Sequence, residues 1–230
     1  MKQLVPLLLF LLLIVPSALQ AQFRLGAEYY GNFSSTNDDF LDTDARFSHT
    51  AGLHLSSPLS SHLRLSFGIA YANLGDQLVR RDLMWGNQHN GNGGFDPSQD
   101  TEIDLTTIRA FEFAETPIRL TYRSKPGKRL SFYGTAGLAP RFLLRARDIY
   151  VIDYADGSTA RSVSESIDDW NTLQWSGLAA AGIEYGLSER FLIYAGPRAQ
   201  YHQQRGQSPA GAAIKANYWQ FGLETGIRFR

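Results

Sequence analysis

Residues 217–230 alternate between two kinds of side chain. Trp219, Phe221, Leu223, Ile227 and Phe229 take one parity, and Gln220, Gly222, Glu224, Gly226, Arg228 and Arg230 take the other. Successive side chains of a strand point to opposite faces, so one face is oily with aromatic ends and the other is polar, small and charged. A soluble sheet shows such alternation too, and the opposite end of the chain narrows the choice. Lys2 precedes an apolar run from Leu4 to Val15, interrupted only by Pro6 and ended by Pro16, Ser17 and Ala18. That run is too short for a spanning helix, so residues 1–21 read as a cleaved signal peptide and residues 22–230 as one exported domain. The chain has no Cys, which excludes disulfides, lipid attachment through a thiol and thiol chemistry. No later window approaches the roughly 20 apolar residues of a spanning helix, so a membrane protein of this sequence must cross with strands.

Seven further segments repeat the pattern. Residues 23–32 set Phe23, Leu25, Ala27 and Tyr29 against Arg24, Gly26, Glu28 and Tyr30. Residues 45–56 alternate similarly, with His49 interrupting the oily face. Residues 63–72 set Leu63, Leu65, Phe67, Ile69 and Tyr71 against Arg64, Ser66, Gly68 and Ala70. A fourth strand is expected over 105–123, where Phe111 and Phe113 fall in the inward register; that predicts a bulge or a segment standing above the membrane. The fifth strand begins at Leu130, with Leu144 facing out and Arg145 in; the sixth and seventh follow from Leu173 and Phe191. The turns near residues 57–62, 124–128 and 188–190 are short. Between them come longer polar stretches, among them 75–104 and 148–171, which read as loops without strand patterns of their own.

Long and short connections in alternation are the rhythm of an up-and-down transmembrane barrel. The expected fold is therefore all-β: eight antiparallel strands, closed because an open edge cannot be satisfied in hydrocarbon, with both termini periplasmic. The outward aromatics sort by height. Phe23, Tyr122, Phe132, Phe191 and Phe229 lie toward the short turns, and Tyr29, Tyr71, Trp175 and Trp219 lie toward the long loops. Two such girdles suit a spanning barrel, whereas a soluble ligand-binding barrel would turn its oily face inward.

Five short stretches support a resemblance. Residues 115–122 read Glu-Thr-Pro-Ile-Arg-Leu-Thr-Tyr, and the small residues of 133–138 follow. Ala181-Gly182-Ile183-Glu184-Tyr185 and Tyr194-Ala195-Gly196-Pro197-Arg198 form the next hairpin, and 222–229 close the pattern. In order and spacing they resemble the PorT-like outer-membrane β-barrel domain family, well in the second half and by architecture alone in the first. The resemblance implies an eight-stranded bacterial outer-membrane barrel. Its members include secretion-machinery components, which makes a docking role in the envelope an expectation. Such barrels usually end on an aromatic read by the barrel-assembly machinery; here Phe229 is penultimate and Arg230 last.

By parity the inward charges are Arg24, Glu28, Arg46, Arg64, Glu115, Arg119, Arg141, Arg145, Glu184, Arg198, Glu224 and Arg228. An eight-strand interior is just wide enough for side chains to fill it, and lone buried ions are strongly disfavoured. A structural lumen network of Arg–Glu pairs is therefore expected; a narrow pore, anion-preferring because arginines outnumber glutamates, is the alternative. A lipid-modifying enzyme is the other alternative and would need a nucleophile and base near the outer rim. His202, inward and high, has Ser176 and Thr50 as conceivable partners, while His49 faces lipid. No two histidines have metal-ligand spacing, and no cofactor is expected.

Asn37, Asp38, Asp39, Asp42 and Asp44 form a dense acidic loop that suits either solvation or calcium, although the spacing of a calcium-binding hand is missing. Trp85 and Phe95 lie in stretch 75–104, where they either anchor a partner or cap the barrel mouth. With 22 basic and 22 acidic residues the chain has no electrostatic footprint for nucleic acid. The expected partners are membrane lipid and lipopolysaccharide, the assembly machinery, and an envelope protein docking on 75–104 and 148–171.

Overall fold

The computed structural model describes residues 23–36, 44–85, 101–125, 128–154, 157–165, 167–207 and 213–229. The expected signal peptide, most of the acidic loop, Phe95 and Arg230 lie outside them. Ten strands run β1 (Arg24–Thr36), β2 (Asp44–Pro58), β3 (Leu63–Trp85), β4 (Thr101–Glu115), β5 (Ile118–Arg123), β6 (Leu130–Tyr154), β7 (Thr159–Glu165), β8 (Leu173–Gly186), β9 (Phe191–Gln207) and β10 (Ala213–Phe229). All pairings are antiparallel, and β1–β10 and β2–β3 contacts complete a ring. Two strands do not add staves. β4 and β5 occupy one position between β3 and β6, and among the described residues β7 pairs only with β6, above the ring. The barrel thus has eight staves, as the alternation implies.

The break at residues 116–117 follows from Pro117, which has no N–H to donate. The ladder survives because its carbonyl accepts from Gly68 N at 3.1 Å and Thr116 N donates to the Pro140 carbonyl at 2.9 Å. The polypeptide therefore stays in line, but as two strands instead of one over 105–123.

The apolar parity faces out and the polar parity faces in. Ile69, Leu53 and Leu223 are more than half exposed, while Ser48, Thr50, Gln200 and Glu184 are buried. Such an outside suits hydrocarbon, and the closed ring leaves no backbone edge exposed to it. Inside, glycines make room for rings. A Cβ at Gly226 would meet the Tyr194 ring at 2.4 Å, and one at Gly26 would meet His54 at 2.4 Å.

Above the barrel the chain departs from what its alternation predicts. Stretches 75–104 and 148–171 are not simply loops. β3 runs on to Trp85, β4 starts at Thr101, β6 runs on to Tyr154, and β7 folds back on β6 before a short 3-10 turn at Ile167–Asp169. A transmembrane strand needs about 9–11 residues. β3 has 23 and β6 has 25, so both project well beyond the belt. β3, β4, β6 and β7 form an upper sheet with cross-strand rows such as Gln77–Ile108–Ile149–Val163. Two irregularities hid it from alternation. A register shift between Arg80 and Leu83 reverses the pattern in β3, and another sits between Glu112 and Phe113.

The second shift settles the case of Phe111 and Phe113. They do point inward, and the extra residue belongs to β6, where Phe113 pairs with Leu143 and Glu112 with Arg145. The bulge turns Arg145 outward, contrary to its parity; half exposed, it pairs with Glu165 at 3.4 Å.

Candidate functional site

The lumen concentrates the chemistry of the described residues. Its lowest layer, beside the short turns, centres on Glu184 of β8. Arg228 Nη1 donates to its Oε1 at 2.8 Å and Arg64 Nη1 at 3.1 Å, and Arg123 contacts Oε2. Arg228 Nε also donates to His54 Nε2 at 3.3 Å, and Arg123 Nη2 to Ser131 Oγ at 3.2 Å. Arg24 lies half-buried at the same end.

The middle layer joins six strands. Arg119 forms a two-pronged pair with Glu28, the fork geometry that makes arginine–carboxylate bonds strong. Tyr194 donates to the same carboxylate at 3.3 Å, and His54 Nδ1 stands 3.7 Å from it. Arg198 lies between Glu28 and Glu224, with Nη1 at 3.8 and 3.9 Å, and its guanidinium covers the Tyr30 ring at 4.4 Å. Tyr133 donates to Glu224 at 2.7 Å.

The upper layer holds Arg141, which is fully buried. Its guanidinium donates to Gln204 Oε1 at 3.1 Å and to His202 Nδ1, and lies 3.9 Å from Glu115. It also sits over the Phe113 ring at 4.0 Å. That contact joins the polar lumen to an apolar lid of Leu74, Phe111, Phe113, Leu143, Trp170 and Tyr218. Phe111 is its hub, with edge-on contacts to Trp170 at 5.1 Å and Tyr218 at 5.9 Å.

All nine charges Arg24, Glu28, Glu115, Arg119, Arg141, Glu184, Arg198, Glu224 and Arg228 therefore line the interior, and eight of them meet in these ion pairs. Alternation missed Arg123, although it continues the parity of Arg119 and Thr121; its place beside a turn concealed it. It also gave no hint of the lid, whose Trp170 comes from a segment that reads as loop.

The enzyme candidates are not brought together as a nucleophile and base. His202 Nδ1 accepts from Arg141 and Nε2 donates to Gln220, which leaves neither nitrogen for a serine. Ser176 Oγ donates to the Ala139 carbonyl at 3.3 Å and accepts from Gln200 at 3.0 Å. His49 faces outward between Tyr29 and Tyr71, each ring centroid 6.2 Å away. Among the described residues no group of His, Asp and Glu is disposed to hold a metal ion.

On the outside, Phe23, Tyr122, Phe132 and Phe229 project at the short-turn end, where half-buried Phe191 lies 5.1 Å from Phe229. Tyr29, Tyr71, Trp175 and Trp219 project toward the other end, with Trp219 4.8 Å from Tyr201.

Residues 14–197 match the family model described as outer membrane protein beta-barrel domain. Among solved structures, Neisserial surface protein A is 14% identical, with 90% of this chain and 96% of that one covered and a TM-score of 0.43. The N-terminal β-barrel domain of Pseudomonas aeruginosa OprF is 18% identical, with 91% and 100% covered and a TM-score of 0.34. A major outer membrane protein from Thermus thermophilus is 10% identical, with 91% and 99% covered and a TM-score of 0.39. No curated protein matches the chain.

Proposed function

The chain belongs to the outer membrane protein beta-barrel domain family, and from that premise we propose that it is a non-enzymatic scaffold whose closed barrel holds a docking sheet at the membrane surface. A fold hosts many functions, so the reading rests on the site. One observation carries it: the lumen is crossed by the ion-paired Glu184, Glu28 and Arg141 layers and covered by Phe111, Phe113 and Trp170. A path for solutes would require breaking several buried ion pairs at once, which is strongly disfavoured. Purified protein in planar bilayers is expected to show no conductance beyond leak. Stable single-channel events would sink the scaffold reading and restore a small anion-preferring pore.

With the lumen occupied, the surface left for recognition is the upper sheet. β7 is exposed along its whole length and among the described residues pairs on one side only, so its other edge offers backbone groups to an incoming strand. The PorT-like resemblance, to a family that includes secretion-machinery components, points to an envelope assembly as the source of that strand. Membrane lipid, lipopolysaccharide and the barrel-assembly machinery complete the set of partners, with the termini periplasmic. Mild-detergent extraction from native membranes tests the docking role. A partner is expected to co-purify with the intact chain and to be lost when residues 147–165 are replaced by a short turn.

A further inference from the structure

The lumen charges do not balance evenly along its length. In the middle and upper layers Arg119, Arg198 and Arg141 face Glu28, Glu224 and Glu115, three cations against three anions. At the short-turn end Arg64, Arg123 and Arg228 converge on Glu184 alone. Among the described residues no other carboxylate is in ion-pair contact with any of the three. They are only 4, 8 and 6% exposed. An arginine does not give up its proton, and a buried charge without compensation is strongly disfavoured. The surplus of positive charge in the described lumen therefore sits in this one layer.

Room and donors for a counter-charge lie between this layer and the middle one, where Arg228 of the three arginines borders the space. A polar cavity of about 10 Å³ lies against Glu184 and is lined by Arg228, Arg119, His54 and the hydroxyls of Ser66 and Thr121. That space admits roughly one water-sized species. The Nε group of Arg119, which borders the cavity, is buried without a hydrogen-bond partner. Water would satisfy donors but leave the charge; a phosphate is too large for the space. Glu184 and Glu224 also border the cavity, but both are engaged, by the arginines and by Tyr133.

We propose that the short-turn end of the lumen binds a single monatomic anion, chloride, as the counter-ion of the Arg64–Arg123–Arg228 cluster. The anion occupies the cavity beside Arg228 and Arg119 and makes the lowest layer neutral enough to remain buried. Chloride here is structural: it needs no passage through the lid, only access from the short-turn side.

Thermal unfolding in detergent, in sodium chloride against sodium gluconate at equal ionic strength, tests this together with anomalous diffraction from bromide-soaked crystals. The expected result is a midpoint that rises saturably with chloride and a bromide peak in contact with Arg228 and Arg119. Arg123→Gln or Arg64→Gln is expected to weaken the apparent chloride affinity about tenfold, whereas Arg145→Gln, outside the barrel, leaves it unchanged. Equal midpoints in the two salts without a bromide peak overturn the proposal, as does an undiminished chloride effect in Arg123→Gln. If that variant fails to fold, the bromide map of the unaltered protein decides alone. Conductance is read separately, so failure here is distinguishable from failure of the scaffold reading.

Discussion

The barrel wall and the upper sheet are continuous strands of one chain, yet they are stabilised by different means. In the wall every strand has two neighbours, and the inward side chains join in buried pairs. In the upper sheet β7 has, among the described residues, a neighbour on one side only, and the Arg145–Glu165 pair that ties it down is at least half exposed at both ends. The same antiparallel ladder thus becomes rigid or adaptable according to what surrounds its side chains. Inside the wall a charge is costly to strand, so each pair is a constraint. Above it, water compensates any loss, and exposed pairs contribute little.

Removing one carboxylate from each region is the sharpest way to break that comparison. Glu184→Gln leaves Arg64, Arg123 and Arg228 without their shared anion. Orphaning a buried charge costs about 3–5 kcal/mol. Glu165→Gln removes an equivalent charge from a solvated pair and costs under about 1 kcal/mol. Urea unfolding from a common micelle or bilayer would measure both. Equal losses would show that the lumen is wetter than its burial implies.

The sequence made the wall legible and the upper sheet illegible for one physical reason. Alternation is visible only where two unlike solvents lie on the two faces. At Leu63–Tyr71 one parity meets lipid and the other a polar interior, so Leu-Arg-Leu-Ser-Phe-Gly-Ile reads without ambiguity. Beyond Tyr71 both faces of β3 look toward water or protein, and the shift after Arg80 breaks the count. Arg145 was misassigned for a related reason: parity cannot register the residue that the β6 bulge inserts. The nine lumen charges were legible because charge on the small-residue parity has one place to go. Which carboxylate meets which arginine was not, since Arg119–Glu28 spans 91 residues of sequence.

A second pair of substitutions sharpens the comparison from outside. Leu53 on β2 is 52% exposed and Val163 on β7 is 50% exposed, so the two are alike by area alone. If Leu53 faces hydrocarbon, Leu53→Arg costs about 2–4 kcal/mol near the midplane. Val163→Arg, in water, is expected within about 0.5 kcal/mol of no change. The same unfolding measurement reads both, and comparable costs would place the upper sheet in the membrane as well.

A small effect is also expected where the two regions meet. Arg109 on β4 pairs with Asp148 on β6 at 3.4 Å, with side chains 31 and 22% exposed, and its guanidinium stands 5.9 Å from the Trp170 ring of the lid. Asp148→Asn removes one charge but leaves Arg109 facing Asp76 across the β3–β4 ladder and resting against Trp170. A partly solvated pair with a remaining partner contributes no more than about 1 kcal/mol. The midpoint shift should therefore be small and should shrink with added salt, because exposed ion pairs are screened. A large, salt-independent loss would mean that this junction behaves as barrel wall, and that the rigid lumen continues upward into the sheet instead of stopping at the lid.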